Sequence, residues 1–259
     1  MKIKNEKIHA LCARSDQQLL TAQNSAEQGD YGSATSLLVT AFEERTKAVV
    51  LQIVDLGFPI MNDLSDLDYI FRQHDARHYI GFFVDCFYEI IEDFKLIIER
   101  YRNDKSFKFN IVKFDEDERL QQDLLNWGLN KIDSFIKKID FYQNIEQTRQ
   151  NGLYVDVLNH KFTIELTHED YQFVKSRLKM IHLLSKDLLE MKEIYELDLF
   201  PSIDDSIQKL TQTNISSHLV NAIQLVKKER SKAFNSIKFK LNLFREVLIE
   251  SNIKQINNQ

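Results

Sequence analysis

Glycine and proline are scarce, with six and two in 259 residues, about a quarter of an average share. Sandwiches, barrels and glycine-cradled nucleotide folds need many tight turns, so this shortage excludes them. Cysteine is rare as well: Cys12 and Cys86 are the only two. Two thiols set among helix formers make no disulfide framework and predict a reduced, cytoplasmic protein. Neither has a base or charge pattern that would activate it, so both are expected in the core. No run of 18 apolar residues exists, so no membrane span and no membrane partner are expected. The opening MKIKNEKIHALCARSDQQ carries charge too early for a signal peptide. Nor is there an excess of positive charge, because the net of -5 gives no global pull towards polyanions.

What is present is a chain 43% hydrophobic, enough to bury a sizeable core and to exclude wholesale disorder. The pattern predicts an all-α protein. A first helix is expected over 8–28, with Leu11, Leu19, Leu20 and Ala22 inward. The turn Gly29-Asp30-Tyr31-Gly32 breaks it. Ser33 is the predicted N-cap of a second helix running to 56, stopped by Gly57-Phe58-Pro59. Further helices are predicted from 65 or 66 to 103, then over 116–150, 167–197, 203–211 and 216–251. Gly81 and Gly128 are candidate bends within them. An extended strap is expected at 153–158. The expected organisation is a helical core over 1–164 and a C-terminal helical extension over 165–259. From residue 219 onward the charge is +5, so the final helix offers RNA or an acidic partner a basic face; the plainer reading is a solvated surface.

The second helix is apolar on every side, which marks a central, buried helix. Yet Glu43, Glu44 and Lys47 lie in its middle. Buried charges cost several kcal/mol each unless paired and hydrogen-bonded, so this helix is expected to meet opposite charges inside the bundle. The counterpart is Arg72-Gln73-His74-Asp75-Ala76-Arg77-His78. His74, Arg77 and His78 share one side of the third helix, with the histidines one turn apart. Two imidazoles and a guanidinium suit phosphate chemistry, since histidine exchanges protons near neutral pH and arginine grips two phosphoryl oxygens. The same histidines could ligate a metal together with Glu43 or Glu44, although the paired Glu-x-x-His of di-iron bundles is missing. Ordinary surface ion pairs are the plainest account.

The order of these motifs resembles a known family. A Gly-Asp-Tyr turn is followed by Ala-Phe-Glu-Glu-Arg-Thr-Lys-Ala at 41–48. His74 follows with Arg77 three places on, and Gly-Leu-Tyr-Val-Asp at 152–156 closes a long helix. Together they resemble the AbiV-type abortive-infection proteins of the HEPN superfamily, over about residues 8–180. The resemblance implies a HEPN-like bundle of long antiparallel helices that pairs as a homodimer. It also implies a bacterial phage-defence role in which growth of the infected cell halts as translation is arrested. Many HEPN proteins are metal-independent RNases whose site is an Arg followed four to six residues later by His, a spacing that Arg72 and His78 fit. Arg77 stands where the family carries lysine, and Gln73 where active members carry Asn, Asp or His.

Two functions of different classes follow. In the first, the protein is a ribonuclease needing no metal and no cofactor, with Arg72, His74, Arg77 and His78 catalytic and His78 the preferred acid or base. Glu43, Glu44 and Lys47 would support them, and Tyr154 and Asp156 would fold back from the strap, though a hydrophobic clasp is the plainer role for Tyr154. The partner would be RNA, whether tRNA, mRNA or rRNA. In the second, the protein is a non-catalytic defence dimer, triggered by a phage-encoded activator through its helical surface.

Overall fold

The computed structural model describes residues 5–55, 64–103, 118–153, 166–196, 228 and 232–257. These form seven helices, with no strand among the described residues: α1 (Asn5–Glu27), α2 (Tyr31–Asp55), α3 (Leu64–Arg72), α4 (His74–Asn103), α5 (Glu118–Leu153), α6 (His168–Glu196) and α7 (Lys232–Asn257). The all-α expectation is met. The predicted helix at 203–211 and the start of the one at 216–251 lie outside the described residues, as does the strap beyond Leu153.

The chain forms two compact units, residues 1–85 with 142–230 and residues 86–141 with 231–259. The boundaries at 85/86 and 141/142 fall inside α4 and α5. The division expected at residue 164 follows chain order; in space α6 packs on α2 within the first unit.

In the first unit, α2 is the central helix, as its all-round hydrophobicity predicts. One side meets α1 and α3 through Ile8, Cys12, Ala48 and Leu51, with Leu67 and Phe71 against them. Another side meets α4 and α5, where the rings of Phe42 and Tyr142 lie 5.7 Å apart. The inward stripe of α1 is Ile8, Cys12, Ser15 and Ala22, whereas Leu20, expected inside, is exposed. Cys12 and Cys86 are both buried, and neither is in a disulfide.

The turn before α2 differs from expectation by one cap. Gly29 takes a φ of 83°, a conformation glycine adopts without strain. Asp30 then caps the helix, its Oδ1 accepting from the Ser33 amide at 3.0 Å. Ser33 and Gly32 are therefore inside α2, and Gly32 serves packing: a Cβ there would fall 2.8 Å from the carbonyl oxygen of Gly152. Gly81 is likewise a packing glycine, not a bend, since its Cβ would meet Cζ of Phe42 at 2.0 Å. At α6 the N-cap is Thr167, which exchanges hydrogen bonds with Asp170 as a capping box.

In the second unit, Glu89 on α4 accepts from Lys131, Ser134 and Lys138 on α5. Lys238 and Arg245 of α7 pair with Asp140 and Asp133 of α5. Two cations of the basic final helix are thus engaged within the protein.

Candidate functional site

The helix expected from 65 to 103 is two helices joined by Gln73. The cause is Arg77, whose Nη1 donates to the carbonyls of Ile70 at 3.2 Å and Phe71 at 2.8 Å. In an unbroken helix those carbonyls would accept from the amides of His74 and Asp75. The guanidinium therefore ends α3 and opens the elbow at which Arg72 and His74 stand.

The other nitrogen of that guanidinium turns to α2, where Nη2 donates to Glu43 Oε2 at 2.9 Å. His78 Nε2 reaches Glu43 Oε1 at 2.9 Å, and His74 Nδ1 lies 2.7 and 2.8 Å from the two carboxylate oxygens. One carboxylate thus gathers three donors from α4. It fulfils the expectation that the charges of α2 meet opposite charges inside the bundle. Burial alone would raise the Glu43 carboxyl; the His78 hydrogen bond, the charges of His78 and Arg77, and the His74 hydrogen bond outweigh it and hold the group far below the usual carboxylate range.

The four candidate residues do not share one exposure. His78 and Arg77 are 2% and 3% exposed. The side chain of His74 is 45% exposed and that of Arg72 74%, with Arg72 Nε on Asp68 at 2.9 Å. His74 Nδ1 stands between the Glu43 carboxylate, which only accepts, and Arg77 Nη2 at 2.7 Å, which only donates, so both neighbours hold the ring by this one edge. The ring edge carrying Nε2 then has no protein hydrogen bond among the described residues. A histidine held through Nδ1 by a buried carboxylate, with Nε2 free, is the orientation a general base requires.

Glu44 and Lys47 are not part of this group, because they pair with each other at 2.7 Å. Lys47 also lies 5.8 Å from the Phe71 ring centre on α3. Tyr154 and Asp156 lie outside the described residues. Glu146 on α5 was not expected here, yet it stands 4.0 Å from His74 and is gripped by Arg149 at 2.6 Å. Burial alone would raise its carboxyl, but Arg149, Gln150 and His74 hold it below the ordinary value. Nothing in the sequence marks it, since its link to His74 is made only by folding. Glu43, His74 and Glu146 offer ligand atoms within 4.8 Å of one another. Arg77, however, is 2.7 Å from His74 Nδ1 and 2.9 Å from Glu43, so a guanidinium already serves as the cation of this group and a metal ion would meet its charge.

Sequence reasoning also passed over a second polar cluster, on the α1 and α6 side of α2. Buried Arg45 pairs with Asp16, donates to the Cys12 carbonyl at 3.2 Å, and reaches Ser185 Oγ at 3.5 Å. Gln52 and Ser185 exchange hydrogen bonds at 3.0 and 3.1 Å. His182 Nε2 lies 3.1 Å from Ser15 Oγ. The charged run 43–47 is therefore divided, with Glu43 serving α4 and Arg45 serving α1 and α6.

Burial, reinforced by the Arg45 charge, pushes His182 down to about 4 from an ordinary 6.5. Between these values the unfolded chain binds a proton that the folded chain refuses, so stability rises with pH across that window. Acidification from pH 6.5 to 4 should remove up to roughly 3 kcal/mol through this group. Urea unfolding at a series of pH values should show a shallower slope for His182→Gln than for the wild type. Parallel slopes would exclude His182 as the source.

The family model HEPN_AbiV, described as AbiV, matches residues 5–183, more than half of the chain. Comparisons with curated proteins and with solved structures give no match.

Proposed function

The chain belongs to the AbiV family of HEPN proteins, and on that premise we propose that it is an abortive-infection protein of phage defence that cleaves RNA without a metal ion. The observation that carries this reading is the half-exposed His74, held through Nδ1 by the buried Glu43 at the α3–α4 elbow beside exposed Arg72. His74 Nε2 takes the proton of a ribose 2′-hydroxyl, and the resulting oxygen attacks the adjacent phosphorus. The bond to the 5′-oxygen breaks, leaving a 2′,3′-cyclic phosphate and, once that oxygen is protonated, a 5′-hydroxyl. Arg72 exchanges Asp68 for the phosphate and offsets the charge building there. Arg77 and His78, both buried, are positioning residues, so His74 takes the acid–base role that motif spacing alone suggests for His78. Pairing as a homodimer, with both elbows lining one cleft, is part of the same reading.

The test is incubation with total RNA and tRNA in EDTA. Discrete products with cyclic-phosphate ends are expected from the wild type, reduced at least a hundredfold in His74→Ala, a typical loss for a general base. Equal cleavage by His74→Ala would sink the assignment. A second reading rests on the burial of Arg77 and His78 and on the Arg72–Asp68 pair. In it the cluster serves folding alone, and the protein acts by binding a phage or host protein. Full toxicity of His74→Ala in an infected cell would favour that reading.

A further inference from the structure

Protonation of His74 leaves a charge that the buried cluster does not balance by itself. Nδ1 of the ring faces Glu43, at 2.7 and 2.8 Å, and Arg77 Nη2, at 2.7 Å. The single negative charge of Glu43 is already shared with Arg77 and with His78 Nε2. Once Nε2 of His74 takes a proton, both ring nitrogens carry hydrogen and an imidazolium stands beside a guanidinium. Like charges this close repel, and burial on the α2 side weakens the screening that water would give. The protonated ring therefore needs a second anion.

α5 supplies one. Glu146 Oε2 lies 4.0 Å from His74 Nδ1, and among the described residues Glu146 and Glu43 are the two carboxylates within that distance of the ring. On α3 the nearby Asp68 is engaged by Arg72. The orientation of Glu146 is fixed by its own helix. Arg149 donates from Nε to Oε2 at 3.0 Å and from Nη2 to Oε1 at 2.6 Å, and Gln150 Nε2 donates to Oε1 at 3.0 Å. A separation of 4.0 Å is too long for a hydrogen bond. Glu146 therefore acts on His74 through its charge and does not fix the place of the ring, which the shorter contacts to Glu43 and Arg77 do.

We propose that Glu146 is a positioning residue acting through His74: its charge holds the imidazolium that forms when Nε2 takes the ribose 2′-hydroxyl proton, and Arg149 sets the strength of that hold. The catalytic half of this inference rests on the function proposed above; the electrostatic link from Glu146 to His74 does not.

The test uses the full-length chain and Glu146→Gln, which keeps the shape of the side chain and deletes its charge. Proton NMR follows the His74 ring signal against pH, assigned by its loss in His74→Ala. Removing one charge at 4.0 Å, partly neutralised by Arg149, should lower the pH at which that signal moves by about half to one unit. Arg149→Gln should raise it, because Glu146 then loses its neighbouring cation; a merely structural role would not send the two variants in opposite directions. Both side chains are partly exposed, so circular dichroism should report an unchanged fold. In RNA cleavage in EDTA, the acid limb of the Glu146→Gln profile should move down by the same interval. Above that limb kcat should fall roughly two- to fivefold, as a weaker base predicts, while KM stays. An unmoved signal in Glu146→Gln, or a shift in the same direction in both variants, overturns the proposal. A shifted signal without cleavage by the wild type rejects the ribonuclease, and the hold of Glu146 on His74 stands. Cleavage whose acid limb stays put while the signal shifts overturns the catalytic half alone.

Discussion

Glu43→Gln is expected to destabilise the protein by roughly 3–5 kcal/mol, the usual cost of removing one partner from a buried ionic cluster. The substitution keeps the shape of the side chain and deletes its charge. Three donors converge on this carboxylate, from His74, Arg77 and His78, and two of them belong to residues at most 3% exposed. A glutamine amide can accept through one oxygen, while its NH2 group faces donors it cannot satisfy. The Arg77 charge would then remain buried without an anion. For a chain of this size the loss corresponds to a fall in Tm of roughly 10 °C, measurable by thermal or urea unfolding. The pH dependence supplies a second readout. Folding depresses the Glu43 carboxyl from its ordinary 4.5. Its contribution is therefore complete above that pH and is lost progressively as pH falls below it. The gap between wild type and variant should follow the same course. A loss under about 1 kcal/mol, the range of an exposed pair, would mean that the bonds of Arg77 to the Ile70 and Phe71 carbonyls hold the elbow unaided.

Gly152→Ala is expected to cost about 2 kcal/mol or more, although alanine is the better helix former by roughly 1 kcal/mol. The new Cβ would lie 2.3 Å from the Gly32 carbonyl oxygen and 2.5 Å from Ser36 Oγ. Backbone cannot rotate away as a side chain can, so α2 and α5 must separate. That movement also stretches the 2.6 Å hydrogen bond from Ser36 Oγ to the Arg149 carbonyl. Gly128→Ala is the internal control. Its Cβ would stand 3.6 Å from Leu248 Cδ1, an ordinary contact, so there helix propensity should win and stability should rise by up to about 1 kcal/mol. If both alanines stabilise, the close approach of α2 to α5 is not tight.

These two expectations mark where sequence reading reaches and where it stops. The glycine of the 152–156 motif was visible as part of a family pattern, but its physical role is the contact with Gly32. Likewise Glu43 was legible as a charge that must be paired, because it sits in a helix apolar on all sides. Its three partners were legible as a cationic group on the next long helix. The elbow at Gln73 was not, since residues 65–103 read as one uninterrupted helical pattern. It arises when the Arg77 side chain captures two carbonyls of its own chain, a competition between side chain and backbone that local propensity does not contain. The exposure of His74 and the burial of His78 were hidden for a related reason. Both fall on the same side of the helix, and only the packing of α2 and α5 against that side decides which ring meets solvent.

Composition and periodicity by themselves therefore determined the all-α class, the central position of α2, and the need for a buried ionic cluster around Glu43. They could do so because turn supply, hydrophobic period and the cost of an unpaired charge are properties of the chain alone. Tertiary structure alone decided that Arg77 bridges the Ile70 and Phe71 carbonyls to Glu43, that Glu146 stands 4.0 Å from His74, that Arg45 serves the opposite side of α2 from Glu43, and that His74 is the imidazole turned towards solvent. Each of these depends on groups distant in sequence meeting at hydrogen-bond range, where an ångström decides between a partner and a bystander.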